Sequence, residues 1–403
     1  MNLLGEAWLW AFGGLFLLGL FFKDGTLLAL SGLIFLSGGV ARLWSRWSLL
    51  GVQCQRLFSQ QRAFVGEAVE VTLRVSNYKI LPLPWLEVED QWPEAMAPIG
   101  GKLTPSSVQR FGCLTNLASL AGHERLSWRY RVMCRGRGYY PFGPFRLRSA
   151  DIFGLFPREE RREEVDYLLV YPRVVPLPDV VLPSHRPFGE VKAQERLFED
   201  PIRTMGLREY QSGDPLKRIH WRASARHREL LVKVYEPTIT LHVIILLNAA
   251  TMGEYTPSYD PVLLERAITV AASVAKHAFD HRCAVGLYSS GSLPHSDEPI
   301  HLTPSRHPTQ LTRIFETLAM LMPITLSTLE GVVRSHRLPW GATIVLVTAV
   351  MSDALLATLL RLKGTGHPVV VLWVADEAPP REMGGVPVQN LAAYLRVWER
   401  ENP

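Results

Sequence analysis

Polarity is nearly missing from the start of the chain. Leu3 to Phe22 is almost continuous apolar sequence, Lys23-Asp24-Gly25 interrupts it, and Thr26 to Leu43 follows with one charge, Arg42. At about 1.5 Å of rise per residue, each run matches a hydrocarbon core of roughly 30 Å, and so short a connection allows only a helical hairpin. The pattern predicts two transmembrane helices within residues 1–47. A cleaved signal peptide would call for a cationic start and a small-residue cleavage site, whereas the chain opens Met1-Asn2-Leu3. A buried soluble hairpin would carry a polar stripe, which neither run shows.

From Gln55 to Leu155 the pattern changes to period two. Glu67–Val75, Leu83–Glu89 and Arg125–Met133 alternate apolar and polar positions, with Asn77, Pro82 and Pro84 marking a turn. Short alternating strands without a convincing helix predict an antiparallel β-sandwich over residues 48–157. Arg135-Gly-Arg-Gly138 precedes no helix and reads as turn chemistry, not as a nucleotide loop. Residues 158–205 read as a linker. They hold prolines at 172, 176, 178, 183 and 187, after a charged run from Arg158 to Glu164 that reads as solvated surface.

Beyond residue 237 continuous apolar strands alternate with amphipathic helices. The strands are Ile239–Leu247, Cys283–Tyr288, Thr343–Thr348 and Pro368–Val374; the helices are Val262–Phe279, Thr309–Leu321 and Asp353–Leu362. Such alternation predicts an α/β domain of Rossmann type over 237–403, with a parallel sheet covered on both faces. The fold class is therefore multi-domain: a membrane hairpin, a β-sandwich and an α/β domain.

Charge singles out residues 206–236. The formal net charge of the chain is +5, and Arg208 to Lys233 holds seven Lys/Arg against three Asp/Glu, a local excess of 7 − 3 = 4. Asp214-Pro215 reads as a helix N-cap with proline at the first helical position. A helix from Leu216 to about His227 would put Leu216, Ile219 and Ala223 on one face. Lys217, Arg218, Arg222 and Arg226 would spread over the rest, beside Trp221. Two uses compete: internal pairing with Glu195, Glu199, Asp200 or Glu209 at a domain joint, or docking of an acidic protein surface or anionic lipid. Nucleic acid is not expected, because no recognition helix with base-reading side chains is present.

The remaining chemistry is sparse. Arg42, Arg46, Arg56 and Arg62 flank the second apolar run, while the connecting loop holds only Lys23 beside Asp24. The positive-inside rule then puts both termini and the main body in the cytoplasm. Trp8, Trp10, Trp44 and Trp47 lie near the ends of the runs, where indoles favour the interface. Cys54, Cys113, Cys134 and Cys283 have no paired spacing and read as reduced thiols. No Walker loop, nucleophile elbow or zinc-protease motif occurs, so the expectation is a non-enzyme without a cofactor. His220 and Ser224 are four residues apart, which reads as helix packing more than as a nucleophile and base.

Arg208-Glu-Tyr-Gln-Ser-Gly-Asp-Pro215 leading into Arg218-Ile-His-Trp-Arg-Ala-Ser-Ala-Arg226 resembles a bacterial membrane-anchored domain-of-unknown-function family (number 58) with a von Willebrand factor A-like region. Arg137-Gly138-Tyr139, Asp151-Ile-Phe-Gly-Leu-Phe156 and Val170-Tyr-Pro-Arg173 agree with it. The resemblance implies a protein of the bacterial cytoplasmic membrane and a MoxR-type AAA+ ATPase as partner, often with transglutaminase-like membrane proteins encoded nearby. It implies no catalytic activity. It also places Asn248, Ala250 and Met252 where the von Willebrand factor A fold keeps an Asp and two Ser on a divalent ion, and Ala349 near its distant Asp. Arg208, Asp214, Lys217, Arg218, Trp221, Arg222 and Arg226 are thus the candidate partner-binding or interdomain residues, in a membrane-anchored adaptor. A divalent-metal-dependent ligand-binding protein, with Thr251 and Asp353 as further oxygens, is the alternative.

Overall fold

A computed structural model describes residues 3–177, 198–211, 214, 216–238, 241–252, 259–294, 296, 298–323 and 327–401. The chain divides into two compact units, Met1–Arg173 and Val174–Pro403.

The first unit opens with helices α1 (Leu3–Phe22) and α2 (Gly25–Ser48). Asp24 caps α2 by accepting from the Thr26 N–H at 3.0 Å. α2 is long and apolar enough to cross a membrane, and Gly13–Phe22 of α1 is a shorter apolar stretch. The two helices pack closely because small residues meet rings: Gly13 lies against Phe35 and Gly32 against Phe16.

Eleven strands follow: β1 (Val52–Phe58), β2 (Arg62–Phe64), β3 (Ala68–Asn77), β4 (Leu83–Pro93), β5 (Thr104–Pro105), β6 (Phe111–Leu120), β7 (Arg125–Met133), β8 (Gly138–Phe142), β9 (Phe145–Ser149), β10 (Arg158–Arg162) and β11 (Asp166–Tyr171). They form sheets of order β1-β3-β7, β10-β9-β4-β6-β5 and β2-β11-β8. The alternation of β3 is the expected one, with Val69, Val71, Leu73 and Val75 fully buried. Two expectations need correction. The sandwich is not wholly antiparallel, since β11 pairs with β2 in parallel. About a hundred residues separate those strands, so no hairpin dictates their direction. Residues 158–205 are not a plain linker. β10 and β11 belong to these sheets, and a later strand begins at Phe198. Of the prolines counted there, Pro178, Pro183 and Pro187 lie outside the described residues. The charged run does sit on a half-exposed strand: Arg146 and Arg148 of β9 bridge to Glu159 of β10 and to Glu89 and Glu87 of β4.

Two apolar clusters fill this unit. Cys54, Leu73, Val88 and Phe145 belong to one, and Val71, Trp92, Phe142 and Leu168 to the other. Arg56 sits where they meet, between Cys54 and Phe58 on β1. Its guanidinium, 0% exposed, pairs with the equally buried Asp90 and with Asp166, donates to the Phe142 carbonyl at 2.9 Å, and stacks 4.3 Å from the centre of Phe145. Trp92 Nε1 donates to the same Asp90 carboxylate. Arg56 therefore does not flank the apolar run as a free cation; it is an internal tie between sheets.

The second unit contains β12 (Phe198–Glu209), α3 (Trp221–His227), β13 (Leu231–Thr238), β14 (His242–Leu247), α4 (Pro261–Asp280), β15 (Ala284–Ser289), β16 (Ile300–Ser305), α5 (Thr309–Met320), α6 (Leu329–Ser335), β17 (Thr343–Thr348), α7 (Asp353–Gly364), β18 (Val369–Trp373), β19 (Val388–Asn390) and α8 (Ala392–Glu401). β12 and β13 form an antiparallel ribbon. The main sheet has order β16-β15-β14-β17-β18-β19, parallel except for β16. Counted within the sheet this is 3-2-1-4-5-6, the doubly wound order. Ile244, Leu246, Ile344 and Leu346 pack with α6 and α7 on one face, and α4 and α5 lie against the sheet as well. Arg266 of α4 ties the C-terminal helix down, holding Glu399 of α8 at 2.9 and 3.0 Å and Asp376 at 3.3 Å. β14 begins at His242; Ile239 and Thr240 lie outside the described residues.

Candidate functional site

The basic segment is an insertion between β12 and β13, and its local structure differs from the expected single helix. Leu216–Arg218 form a 3₁₀ turn, and the α-helix begins only at Trp221. The break has a clear cause. Ile219 makes an isolated bridge to Val232, and the His220 N–H donates to the Leu231 carbonyl at 2.8 Å, so the adjoining strand claims these two backbone positions. His220 then serves as the cap, its Nδ1 accepting from Ala223 N–H at 3.1 Å. Ser224 accepts from the Leu231 N–H at 2.9 Å and donates to the His220 carbonyl. The His220 backbone N–H and the Ser224 hydroxyl hold the helix to β13, and the nucleophile-and-base reading has no geometric support. Arg228 ends the helix in the left-handed conformation.

Asp214 does other work than the expected capping. Arg208 grips it as a fork, at 2.7 and 2.8 Å to the two carboxylate oxygens, and Asp214 also accepts from the Gln211 N–H at 3.0 Å. The pair closes the turn after β12. Ser212, Gly213 and Pro215 lie outside the described residues, as does the side chain of Arg218.

The structure therefore divides the candidates. Arg208 and Asp214 are joined to each other. Ile219 and Ser224 are buried, while the expected apolar partner Leu216 is instead 66% exposed. Trp221 is also 66% exposed. Lys217, Arg222 and Arg226 are exposed beside it, and no ion pair holds them among the described residues. An uncovered indole among guanidinium groups has the composition of a protein-binding hot spot.

The second candidate lies at the switch point of the sheet, between the ends of β14 and β17, where open α/β folds place ligands. Here the space is taken up by side chains bonded to one another. Asn248 Nδ2 donates to Thr348 Oγ1 at 3.1 Å, and its Oδ1 accepts from Ser290 Oγ at 3.3 Å and from Ala250 N–H at 3.2 Å. Thr251 Oγ1 accepts from the Asp260 N–H at 2.7 Å. Asp353 is the first residue of α7, which Ser352 caps. Ala250 and Met252 supply no hard oxygen, and the Asn248 amide is already engaged, so this donor set does not fit a divalent cation. Among the described residues no group of three His, Cys, Asp or Glu side chains converges.

Sequence reasoning missed the buried Arg56–Asp90–Trp92 cluster. The signal was there: a charge on the inward phase of alternating strands, at Arg56 and again at Asp90. Burial pushes the Asp90 carboxyl up, against the pull of Arg56 and the Trp92 indole N–H. Burial likewise pushes the neighbouring Cys54 thiol up to about 12.

Comparison with known proteins bears on residues 206–390. Over 252 residues the chain is 23% identical to "Uncharacterized protein YeaD" of Bacillus subtilis (strain 168), covering 62% of this chain and 59% of that protein. Among solved structures, the sporulation control protein Spo0M of Bacillus subtilis overlaps 30% of this chain and 49% of its own, at 11% identity and a TM-score of 0.19. A cohesin module from a Clostridium perfringens family 33 glycoside hydrolase overlaps 30% of this chain and 95% of its own, at 10% identity and a TM-score of 0.22. These likenesses are too slight to bear on the fold. Residues 206–390, which contain the basic segment and most of the α/β sheet, match the family described as "Protein of unknown function DUF58".

Proposed function

We propose that this chain is a membrane-anchored, non-catalytic adaptor of the bacterial cytoplasmic membrane, and a member of the family that its residues 206–390 match. In this reading α1 and α2 form a two-span hairpin with both termini cytoplasmic, and the second unit is a von Willebrand factor A-like domain. The basic segment presents Trp221, Arg222 and Arg226 to a protein partner with an acidic surface, for which a MoxR-type AAA+ ATPase is the candidate. The observation that carries this is the exposure of Trp221 on a segment otherwise fastened to its ribbon by His220, Ser224 and the Arg208–Asp214 fork. Local order around an uncovered aromatic anchor lowers the cost of binding.

The test is binding of the purified ATPase to the full chain in lipid nanodiscs. Trp221→Ala is expected to weaken binding by tenfold or more, on the order of the 2 kcal/mol that marks a hot spot. Arg222→Glu with Arg226→Glu is expected to abolish it and to remove its salt dependence. Unchanged affinity in both variants would refute the adaptor surface.

A further inference from the structure

The end of α2 is not a free tether; the sandwich grips it. Ser45 Oγ donates to the Phe156 carbonyl at 2.6 Å, Arg158 donates to the Arg46 carbonyl, and Lys79 Nζ donates to the carbonyls of Ser48 and Leu50. Tyr78 N–H donates to Gly51 O at 2.9 Å. Two loops of the sandwich, 78–82 and 150–157, are thus fastened to the last turn of the apolar helix. Phe156 reaches Ser45, two residues or about 3 Å of helix from Leu43, where the apolar run ends.

Both loops carry large apolar side chains that no described residue covers. Ile80 is 83% exposed, Phe153 67%, Ile152 61% and Leu155 47%. The second loop is built to hold them there. Asp151, fully buried, accepts from Phe153 N–H at 2.8 Å and from Phe156 N–H at 2.7 Å. Gly154 N–H donates to the Asp151 carbonyl at 3.1 Å, and Gly154 takes the left-handed conformation at φ +71°, which favours glycine. A buried carboxylate spent on two backbone N–H groups fixes Ile152, Phe153 and Leu155 outward. In the first loop, Gly122 approaches Ile80 so closely that an added Cβ would lie 2.3 Å from its carbonyl oxygen. Tyr78, half exposed, lies under the Arg125 guanidinium at 5.7 Å, a pairing suited to a headgroup layer.

We propose that this end of the sandwich is embedded in the bilayer, with Ile80, Ile152, Phe153 and Leu155 seated at the headgroup–acyl boundary around the base of α2. The proposal rests on the reading of α2 as a membrane span, with which the patch is continuous. The span sets the depth, and the loops fastened to it enter the layer where apolar side chains are buried some 5–10 Å deep in interfacial proteins. The DIFGLF motif at 151–156 thereby acquires a physical role as a clamped lipid-facing turn.

The test uses the full chain, with Cys113→Ser to remove its half-buried thiol, in vesicles of phosphatidylcholine and phosphatidylglycerol. Nitroxide labels are placed singly through Phe153→Cys, Ile80→Cys, Leu30→Cys and Ile99→Cys. Leu30 lies exposed on α2. Ile99 is an exposed residue joined to Arg131, which pairs with Glu70 near the far end of β3, roughly 23 Å from Asn77 at ~3.3 Å per residue. Collision with oxygen is then compared with collision with a water-soluble nickel chelate. The expected result is oxygen-dominated relaxation at positions 30, 80 and 153 and chelate-dominated relaxation at 99. Aqueous behaviour at 80 and 153 with lipid behaviour at 30 overturns the proposal and leaves the span standing. Shielding from both probes at 80 and 153 overturns it in favour of a protein contact. Aqueous behaviour at 30 removes the span, and the proposal with it.

Discussion

Arg56 and Arg222 carry the same guanidinium into opposite surroundings, and the difference lies in their acceptors. Around Arg56 the sheets supply fixed oxygens at every turn: both carboxylate oxygens of Asp90, one of Asp166 and the Phe142 carbonyl. Around Arg222 and Arg226 the helix is seven residues long, and its one serine is already bonded to Leu231 of β13 and to the His220 carbonyl. A guanidinium is buried where a rigid set of acceptors can replace water, and is left outside where it cannot. Arg266, whose own side chain is 8% exposed while Asp376 and Glu399 are 52% and 40%, stands between the two.

The comparison is broken most directly at its buried end. Arg56→Ala leaves the Asp90 carboxylate in the interior without its cation, holding only the Trp92 indole N–H. Removing one member of a buried pair costs about 3–5 kcal/mol. Denaturant melts of the detergent-solubilised full chain are expected to show the sandwich transition lowered by that amount. A loss below about 1 kcal/mol, the size of an exposed pair, would mean that water already reaches this site.

Cys54 sharpens the same point through pH. Burial, with Asp90 adding to it, raises this thiol to about 12 from an ordinary value of 9.0. The unfolded chain loses its proton above 9 and the folded chain does not, so the folded state binds more protons between 9 and 12. Stability is therefore full below pH 9 and falls as pH rises through that window. From pH 9 to pH 11 the fall is expected to be about 2 kcal/mol larger in the natural protein than in Cys54→Ala. Equal alkaline slopes would show that the thiolate is solvated in the folded protein.

What the sequence makes legible follows from the same contrast. Strands buried on one or both faces write their burial as a period, and β17 and β7 fall where alternation or continuous apolarity puts them. β16 escaped notice because it is an antiparallel edge strand carrying Pro304, with its exposed positions mixed among half-buried ones. The break at Ile219 was equally hidden, since it depends on β13, whose bridge to Ile219 no local pattern announces. At the candidate site, composition located the basic segment. Which of its residues turn outward was decided by the tertiary partners of Asp214, Ile219 and Ser224.

The intermediate case predicts an intermediate cost. Arg266→Met removes the tie from α4 to α8, but Glu399 and Asp376 can return to water, so the penalty is well below that of Arg56. Side-chain hydrogen bonds raise the Arg266 guanidinium above its ordinary value, Glu399 first among them, while burial opposes. Discounted for that solvent access, the loss is about 1–2 kcal/mol in the unfolding of the second unit. Proteolysis is expected to clip the chain near Ala392 sooner in the variant. A cost equal to that of Arg56→Ala would mean that the partners are shielded as fully as the guanidinium.

The smallest effect is expected where the charge is most visible in the sequence. Arg222→Glu with Arg226→Glu reverses two cations that no described residue pairs, on the outer side of α3. Surface changes of this kind shift Tm by no more than about 2 °C. Near-constant stability would let any loss of partner binding be assigned to the surface itself. A drop of several degrees would instead mean that these arginines hold the segment in place, and Arg222 would join Arg56 as an internal tie. Thermal melts of the variant and the natural protein in the same detergent decide between these two roles before any partner is added.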